Sequence, residues 1–100
     1  MIIDRKLAKK LKSQIFECVQ FKKDSNSEPV NIGYNAYINF NKNDELIIIA
    51  DNKELFRYPV SELQLYYHQS LNGLNLVYKN GDEISTVILY YLRDIKSPKG

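Results

Sequence analysis

The sequence predicts an α+β fold: one N-terminal amphipathic helix packed on an antiparallel sheet of five to six strands, which can curl into a partial barrel. Apolar residues recur at every fourth position near the N-terminus, which is the period of a helix. From Tyr34 onward apolar and polar residues alternate, which is the period of a strand. One hundred residues are enough for one modest core, so we expect a single domain over residues 1–100.

The helix is predicted over about residues 4–20. Asp4 suits its N-cap, because a carboxylate accepts hydrogen bonds from the first free amides and complements the positive helix end. The second half allows another interpretation, since "QIFECVQF" is rich in β-branched and aromatic residues and can be a strand beginning near Ser13. The apolar stripe of the helix consists of Leu7, Leu11, Ile15 and Val19.

A polar loop over residues 22–33 is predicted to lead from the helix into antiparallel strands over about residues 34–92. "YNAYINF", "ELIIIA" and "ELFRY" have the composition of strands, and "NKND" and "DNK" supply the turns between them. "ELIIIA" is apolar on both faces, which favours a central position in the sheet. Pro59 closes the third strand. A basic tail, residues 93–100, follows the last strand.

The last predicted hairpin joins "GLNLVY" to "DEISTVIL" around "KNG". A two-residue Asn-Gly loop sets Leu76 against Ser85. A three-residue loop, with Gly81 in the left-handed conformation, sets Leu76 against Ile84 instead. We favour the second register because a slip of one residue moves every side chain to the other face. It keeps four apolar side chains together: Leu74, Leu76, Ile84 and Ile88.

Residues 61–71 hold the single histidine and allow two structures. As a helix, the segment has a capping box formed by Ser61 and Gln64, and Gly73 lies where the helix ends. As a strand, it directs Leu63, Leu65 and Tyr67 toward the core. We favour the strand, in which the outward side chains are Gln64, Tyr66 and His68.

The residue types that most catalysis requires are scarce. His68 and Cys18 are the only histidine and the only cysteine, and they give no zinc-ligand spacing, so we expect no metal and no cofactor. Neither a phosphate-binding glycine motif nor a nucleophile elbow is present. Cys18 falls on the apolar stripe, where a thiol is more often a small core residue than a nucleophile. We therefore expect a protein that is not an enzyme.

Charge is unevenly distributed along the chain. Residues 1–24 carry seven basic and three acidic side chains, whereas residues 25–92 carry four basic and eight acidic ones. This asymmetry predicts either a nucleic-acid contact made by the helix or a basic helix that lies on an acidic body. The candidate nucleic-acid contacts are Arg5, Lys6, Lys9, Lys10 and Lys12.

Eight tyrosines are a high count for 100 residues. Tyrosine supplies rigid amphipathic contact area, although it is also a favoured strand residue. We expect a protein-binding module whose partner is another protein or a second copy, with a nucleic-acid-associated regulator as the alternative. The lysine-, asparagine- and isoleucine-rich composition is typical of bacterial or phage accessory proteins such as inhibitors, immunity proteins and regulators. The candidate protein contacts are Tyr37, Gln64, Tyr66, His68 and Tyr91.

The sequence also predicts the compartment. No apolar run approaches the roughly 18 residues of a membrane span, and the first residues lack the apolar core of a signal peptide. A lone cysteine fits a reducing environment. We expect a cytoplasmic protein without a membrane span.

One run of residues resembles the small bacterial pleckstrin-homology-like domains. In those domains a strand hairpin leads through a segment of the kind F-x-Y-P-x-S-x-[IL] to a second hairpin with a K-x-G turn. The resemblance covers about half of the chain and implies a binding barrel without catalytic residues. The clear helix of this chain is N-terminal, whereas the family closes its barrel with a C-terminal helix. The matching residues are Phe56, Tyr58, Pro59, Ser61, Leu63 and Lys79-Asn80-Gly81.

Overall fold

A computed structural model describes residues 3–68 and 72–92 of the chain. Within these ranges one α-helix, α1 (Arg5–Lys12), precedes seven strands. A short 3-10 helix (Val60–Glu62) joins the fourth strand to the fifth. The strands are β1 (Phe16–Lys22), β2 (Val30–Phe40), β3 (Glu45–Ala50), β4 (Lys53–Pro59), β5 (Leu63–Tyr67), β6 (Gly73–Asn80) and β7 (Glu83–Tyr91). The predicted α+β fold with an antiparallel sheet is confirmed.

The helix is shorter than predicted, and the sheet has seven strands where five to six were expected. α1 ends at Lys12, and the Ser13 hydroxyl donates to the Lys10 carbonyl at 2.7 Å. The predicted second half of the helix is wrong, since that segment forms β1. Val19 is buried in the strand, as it would be in a helix, so its place on the apolar stripe did not distinguish the two structures.

Local chemistry explains where α1 begins. Asp4 is its N-cap, and the carboxylate accepts a hydrogen bond from the Leu7 amide at 2.8 Å. Leu11 is buried in the core together with Ile3, while Leu7 and Ala8 pack against its edge. The helix therefore covers part of the core with one face and leaves the other face in solvent.

The sheet has the order β4-β3-β2-β1-β7-β6-β5, and every pair is antiparallel. β4 and β5 are consecutive in the chain but occupy opposite edges, and no strand pairing joins them in the part of the chain that the structure describes. The connection between them is the 3-10 helix alone, so the sheet must fold back on itself. The side chains on the inner side of the sheet form the core together with Leu11 of α1. The largest fully buried residues of the core are Phe16, Leu11, Ile38, Leu46, Ile48, Leu63, Leu65, Leu74, Leu76, Leu89, Val19 and Val87.

The predicted turns around β3 are confirmed. Residues 41–44 connect β2 to β3, and Asp51 and Asn52 connect β3 to β4 with φ angles of 53° and 65°. Asp and Asn tolerate this left-handed conformation, which two-residue hairpins of type I′ require. β4 ends at Pro59, as expected. The loop predicted over residues 22–33 is shorter, because β2 already begins at Val30.

The β6–β7 hairpin has a register that neither sequence interpretation contained. Asn80 pairs with Glu83, so Gly81 and Asp82 form the turn, and Leu76 lies opposite Val87. Gly81 has the expected positive φ, 67°, at the first central position of the turn. This register places four buried side chains on one face: Leu74, Leu76, Val87 and Leu89. Ile84 is 39% exposed and does not belong to that face.

The strand predicted within residues 61–71 is confirmed as β5. Leu63 and Leu65 are buried, and Tyr66 is 51% exposed. The alternation of side chains therefore follows the prediction. Residues 69–71 and the basic tail over residues 93–100 lie outside the described residues.

Candidate functional site

A cleft of about 530 Å³ lies between the loop that follows β1 and the turn that joins β6 to β7. Phe21, near the end of β1, and Tyr78, near the end of β6, line it with aromatic rings. α1 precedes the other end of β1, so the helix and the cleft lie at opposite ends of this strand. Pockets that hold small ligands commonly measure about 300–1,000 Å³, so the volume suits a side chain or a short segment.

A row of aromatic rings supports the cleft. Phe21 packs on Phe56 with a centroid distance of 5.1 Å, Phe56 on Tyr58 at 5.6 Å, and Tyr58 on Tyr78 at 4.7 Å. Burial raises the pKa of Tyr58 to about 12, and a side-chain hydrogen bond with Ser85 acts in the opposite direction by lowering it. The phenol is therefore uncharged at neutral pH, and four rings from three strands hold one another in place.

The charged side chains around the cleft are mostly acidic. The Asp24 carboxylate accepts hydrogen bonds from the Ser27 hydroxyl at 2.8 Å and the Asn26 amide at 2.9 Å, which hold its pKa below the ordinary value. Asp82 and Glu83 lie across the opening in the β6–β7 turn and are exposed. Lys23 is the one cation that lines the cleft among the described residues.

Apolar surface continues beyond the cleft on the other side of Phe21. A second cavity of about 360 Å³ is lined by Phe21, Lys23, Ser27, Glu28 and Val30. Val30 pairs with Phe21 across β1 and β2 and is 61% exposed. The end of the β1–β2 hairpin therefore offers apolar contact area on both sides of one aromatic ring.

The predicted protein contacts do not form one patch. Tyr37 lies on β2 and Tyr66 on β5, with three strands between them in the sheet order, and both are exposed. Gln64, also on β5, is half-buried. Tyr91 stacks on Phe16 at 5.6 Å and packs against the core, and burial raises its pKa. Tyr91 is therefore half-buried, whereas Tyr37 and Tyr66 are exposed.

His68 belongs to a cluster that connects β5, β6 and β7. Its Nε2 lies 2.6 Å from the Asn75 Oδ1, its Nδ1 lies 3.1 Å from the Asn72 Oδ1, and its ring meets Tyr90 edge-on at 5.3 Å. Gly73 lies directly beneath the ring, since a Cβ at that position would come within 3.0 Å of the His68 Cε1. The imidazole is engaged by amides at both nitrogens.

Cys18 lies on β1 and not on a helical stripe. It pairs with Tyr34 of β2 on one side and Tyr90 of β7 on the other, and it is half-buried. Burial raises the pKa of its thiol, and the Glu17 carboxylate adds to the effect. The predicted location was wrong because the segment is a strand.

The five candidate nucleic-acid contacts on α1 are all exposed. Among the described residues both ion pairs belong to Arg57, which contacts Glu45 at 3.3 Å and Glu54 at 2.7 Å. Lys10 lies 5.9 Å from the centre of the Tyr67 ring. None of the α1 cations therefore forms an ion pair with a carboxylate among the described residues.

Sequence reasoning missed the cleft. Asp82 and Glu83 entered the sequence interpretation only as the start of "DEISTVIL", and the predicted helix ended just before Phe21. The strand alternative for "QIFECVQF" was the available signal, because it puts Phe21 at a strand end. The Tyr58–Tyr78 contact had no sequence signal, since it depends on how the whole sheet folds.

No family model matches the chain, and no curated protein or solved structure shows significant similarity to it.

The described residues contain no group of three or more His, Cys, Asp and Glu side chains that can hold a metal ion. None of their helices has the length and apolar character needed to cross a membrane.

Proposed function

We propose that the protein is a non-enzymatic protein-binding module that receives a segment of a partner protein in the cleft. The observation that carries the proposal is the cleft of about 530 Å³ lined by Phe21 and Tyr78. Aromatic side chains dominate the energetics of protein interfaces because they bury large rigid surfaces at low entropic cost. The row of packed rings fixes Tyr78 before a partner arrives.

The two residues best suited to catalysis are poorly arranged for it. His68 contacts amide oxygens, whereas a general base needs a free nitrogen near its substrate. The Cys18 thiol has a raised pKa, whereas a nucleophilic cysteine needs a lowered one. Neither residue lines the cleft. These contacts favour binding over catalysis as the function.

The biological class of the module is proposed on sequence grounds. The composition supports a bacterial or phage accessory protein that acts in the cytoplasm as an inhibitor, immunity protein or regulator. The resemblance to pleckstrin-homology-like domains implies the same kind of role, namely binding without catalysis, and it stays a prediction.

A matched pair of variants tests the proposal. Ser25 lines the cleft and is exposed, and Tyr37 lies on β2 and is 41% exposed. Tagged wild type, Ser25→Arg and Tyr37→Arg are used to retain proteins from extracts of cells that naturally produce the chain. We expect a partner retained by wild type and Tyr37→Arg but not by Ser25→Arg, because a long side chain on the wall of the cleft obstructs it.

Circular dichroism and urea unfolding establish that both variants fold before retention is compared. Nuclease treatment of the extract removes partners bridged by nucleic acid. A partner that Ser25→Arg retains as well as wild type does would contradict the proposal, and so would a partner lost equally from both variants.

A second candidate function rests on a separate observation. Five of the eight residues of α1 are basic and exposed, and none makes an ion pair among the described residues. Such a concentration of cations suits a phosphate backbone, so we propose a nucleic-acid-associated regulator as the alternative.

Salt dependence distinguishes the alternative. Filter binding to duplex DNA and to RNA is measured between 50 and 200 mM salt for wild type and for the triple variant Lys6→Glu, Lys9→Glu and Lys12→Glu. Each phosphate contact adds about −0.9 to the slope of log affinity against log salt. The alternative predicts a steep slope that the variant loses, with Lys42→Glu as a control outside α1. A slope near zero for wild type would contradict it.

A further inference from the structure

We propose that the group entering the cleft is the cationic side chain of a lysine or arginine in a basic segment of the partner protein. The inference rests on the proposed function, because it names the occupant of the same cleft. The contacts that support it are the charges at the opening, the rings beneath them and the apolar surface beside them.

The charges at the opening favour a cation. Asp24 lies on the wall formed by the loop after β1, and Asp82 and Glu83 lie on the wall formed by the β6–β7 turn. Against these three carboxylates, the described residues that line the cleft contribute one ammonium group, that of Lys23. The hydrogen bonds that Asp24 accepts from Asn26 and Ser27 keep it ionised. A cation between the walls meets opposite charge on both sides, whereas an anion is repelled.

The rings that line the cleft suit the same occupant. The faces of Phe21 and Tyr78 carry the negative part of the aromatic quadrupole, which attracts an ammonium or guanidinium group. One such pair occurs elsewhere among the described residues, where Lys10 lies 5.9 Å from the centre of the Tyr67 ring. A bound guanidinium thus contacts rings below and carboxylates at the rim.

The apolar surface selects a long side chain over a compact cation. Lysine and arginine carry an aliphatic stem that packs along apolar surface while the charge lies at its tip. Phe21 offers that surface in the cleft, and Val30 extends it on the far side of Phe21. A neutral apolar side chain can use the same surface but leaves the rim carboxylates without a partner when it excludes their water.

Nuclear magnetic resonance of the full-length 15N-labelled chain tests the inference with defined probes. The cationic probes are the N-acetyl methylamides of arginine and lysine, and the comparison probes are those of leucine and glutamate together with calcium chloride. We expect saturable shifts of the amides of residues 21–25 and 82–85 with the cationic probes. We expect at least about tenfold weaker binding of the leucine and glutamate probes, in line with the loss of charge pairing.

Two double variants isolate the carboxylates. Asp82→Asn with Glu83→Gln removes two charges from the rim, and Glu17→Gln with Glu62→Gln removes two exposed charges that do not line the cleft. The first pair of substitutions should weaken binding of the arginine probe about tenfold, and the second pair should leave its affinity nearly unchanged. Equal shifts with the leucine probe or calcium would overturn the inference, as would arginine binding that the rim variant retains.

Failure of the inference and failure of the proposed function give different results. If the cationic probes do not bind but Ser25→Arg abolishes partner retention, the cleft binds a partner of other chemistry. If Ser25→Arg retains the partner, the cleft is not the docking site. Sedimentation of the protein alone shows whether the cation comes from a second copy of the chain. A dimer that the rim variant dissociates would overturn the proposal of a separate partner and would indicate the basic helix of a second copy instead.

Discussion

Tyr58 of β4 and Tyr78 of β6 pack with their ring centroids 4.7 Å apart, although four strands separate β4 from β6 in the sheet. The contact is possible because the sheet folds back on itself between its two edge strands. Tyr78 also lines the cleft. The folding of the sheet and the shape of the candidate site therefore depend on the same pair of residues.

Ionisation of the Tyr58 phenol should lower the stability of the folded protein at alkaline pH. Its pKa is about 12 in the folded protein against an ordinary 10.0, so the unfolded chain loses this proton first as the pH rises. The contribution of Tyr58 to stability is therefore complete below pH 10 and declines between pH 10 and 12. Tyr58→Phe should cost about 1 kcal/mol at pH 8, from the lost hydrogen bond with Ser85.

Urea unfolding of wild type and Tyr58→Phe at pH 8 and pH 11.5 measures this effect. The stability difference between the two proteins should narrow by about 1 kcal/mol at the higher pH, a value reduced for the partial exposure of the ring. Tyr66→Phe is the control, because Tyr66 is 51% exposed. A difference that stays constant with pH for Tyr58→Phe would contradict the assignment.

Gly73 and Gly81 should tolerate alanine to different degrees for different reasons. At Gly73 a Cβ would overlap the Leu89 carbonyl oxygen and lie 3.0 Å from the His68 ring, so the backbone must move. At Gly81 a Cβ meets no atom within 4 Å, and only the φ of 67° is unfavourable. We expect Gly81→Ala to cost about 1 kcal/mol and Gly73→Ala at least about 3 kcal/mol.

Chemical denaturation of the two alanine variants gives these free energies, and the imidazole resonances report whether His68 moves. Gly73→Ala should shift the His68 signals, whereas Gly81→Ala should leave them in place. Equal costs for the two substitutions would contradict the close packing of Gly73 against the Leu89 carbonyl, and unshifted His68 signals in Gly73→Ala would contradict its contact with the ring.

The Cys18 thiol should react slowly. Burial and the nearby Glu17 carboxylate raise its pKa, so little thiolate is present at neutral pH. At pH 7.5 we expect an aromatic disulfide reagent to modify folded Cys18 at least about fivefold more slowly than the urea-unfolded chain. A cysteine tripeptide in the same urea concentrations corrects for the solvent. Faster reaction of the folded protein would indicate an activated thiol and would reopen a catalytic role.

Local signals in the sequence were sufficient for most strands and turns. "DNK" forms a turn because Asp51 and Asn52 tolerate positive φ, and the alternation of Leu63 and Leu65 with Tyr66 identifies β5. The segment "QIFECVQF" misled because Val19 is buried in either structure. This segment forms a strand because β2 pairs with one of its edges and β7 with the other.

The candidate site was less accessible from the sequence than the fold. Phe21 and Tyr78 lie 57 positions apart and meet the same cleft only after the sheet has folded. The β6–β7 register was missed because both sequence interpretations put Asn80 in the turn, whereas it pairs with Glu83. By contrast, the exposure of the cations on α1 follows directly from the period of its apolar residues.

Photo-crosslinking from inside the cleft tests the central claim most directly. The photoreactive residue benzoylphenylalanine replaces Ser25 in one variant and Tyr37 in the other, and both sites are exposed. Both variants are expressed in cells that naturally produce the chain. A protein-binding cleft predicts one discrete protein adduct from position 25 and none from position 37. Adducts from position 37 alone, or only nucleic acid at position 25, would contradict it.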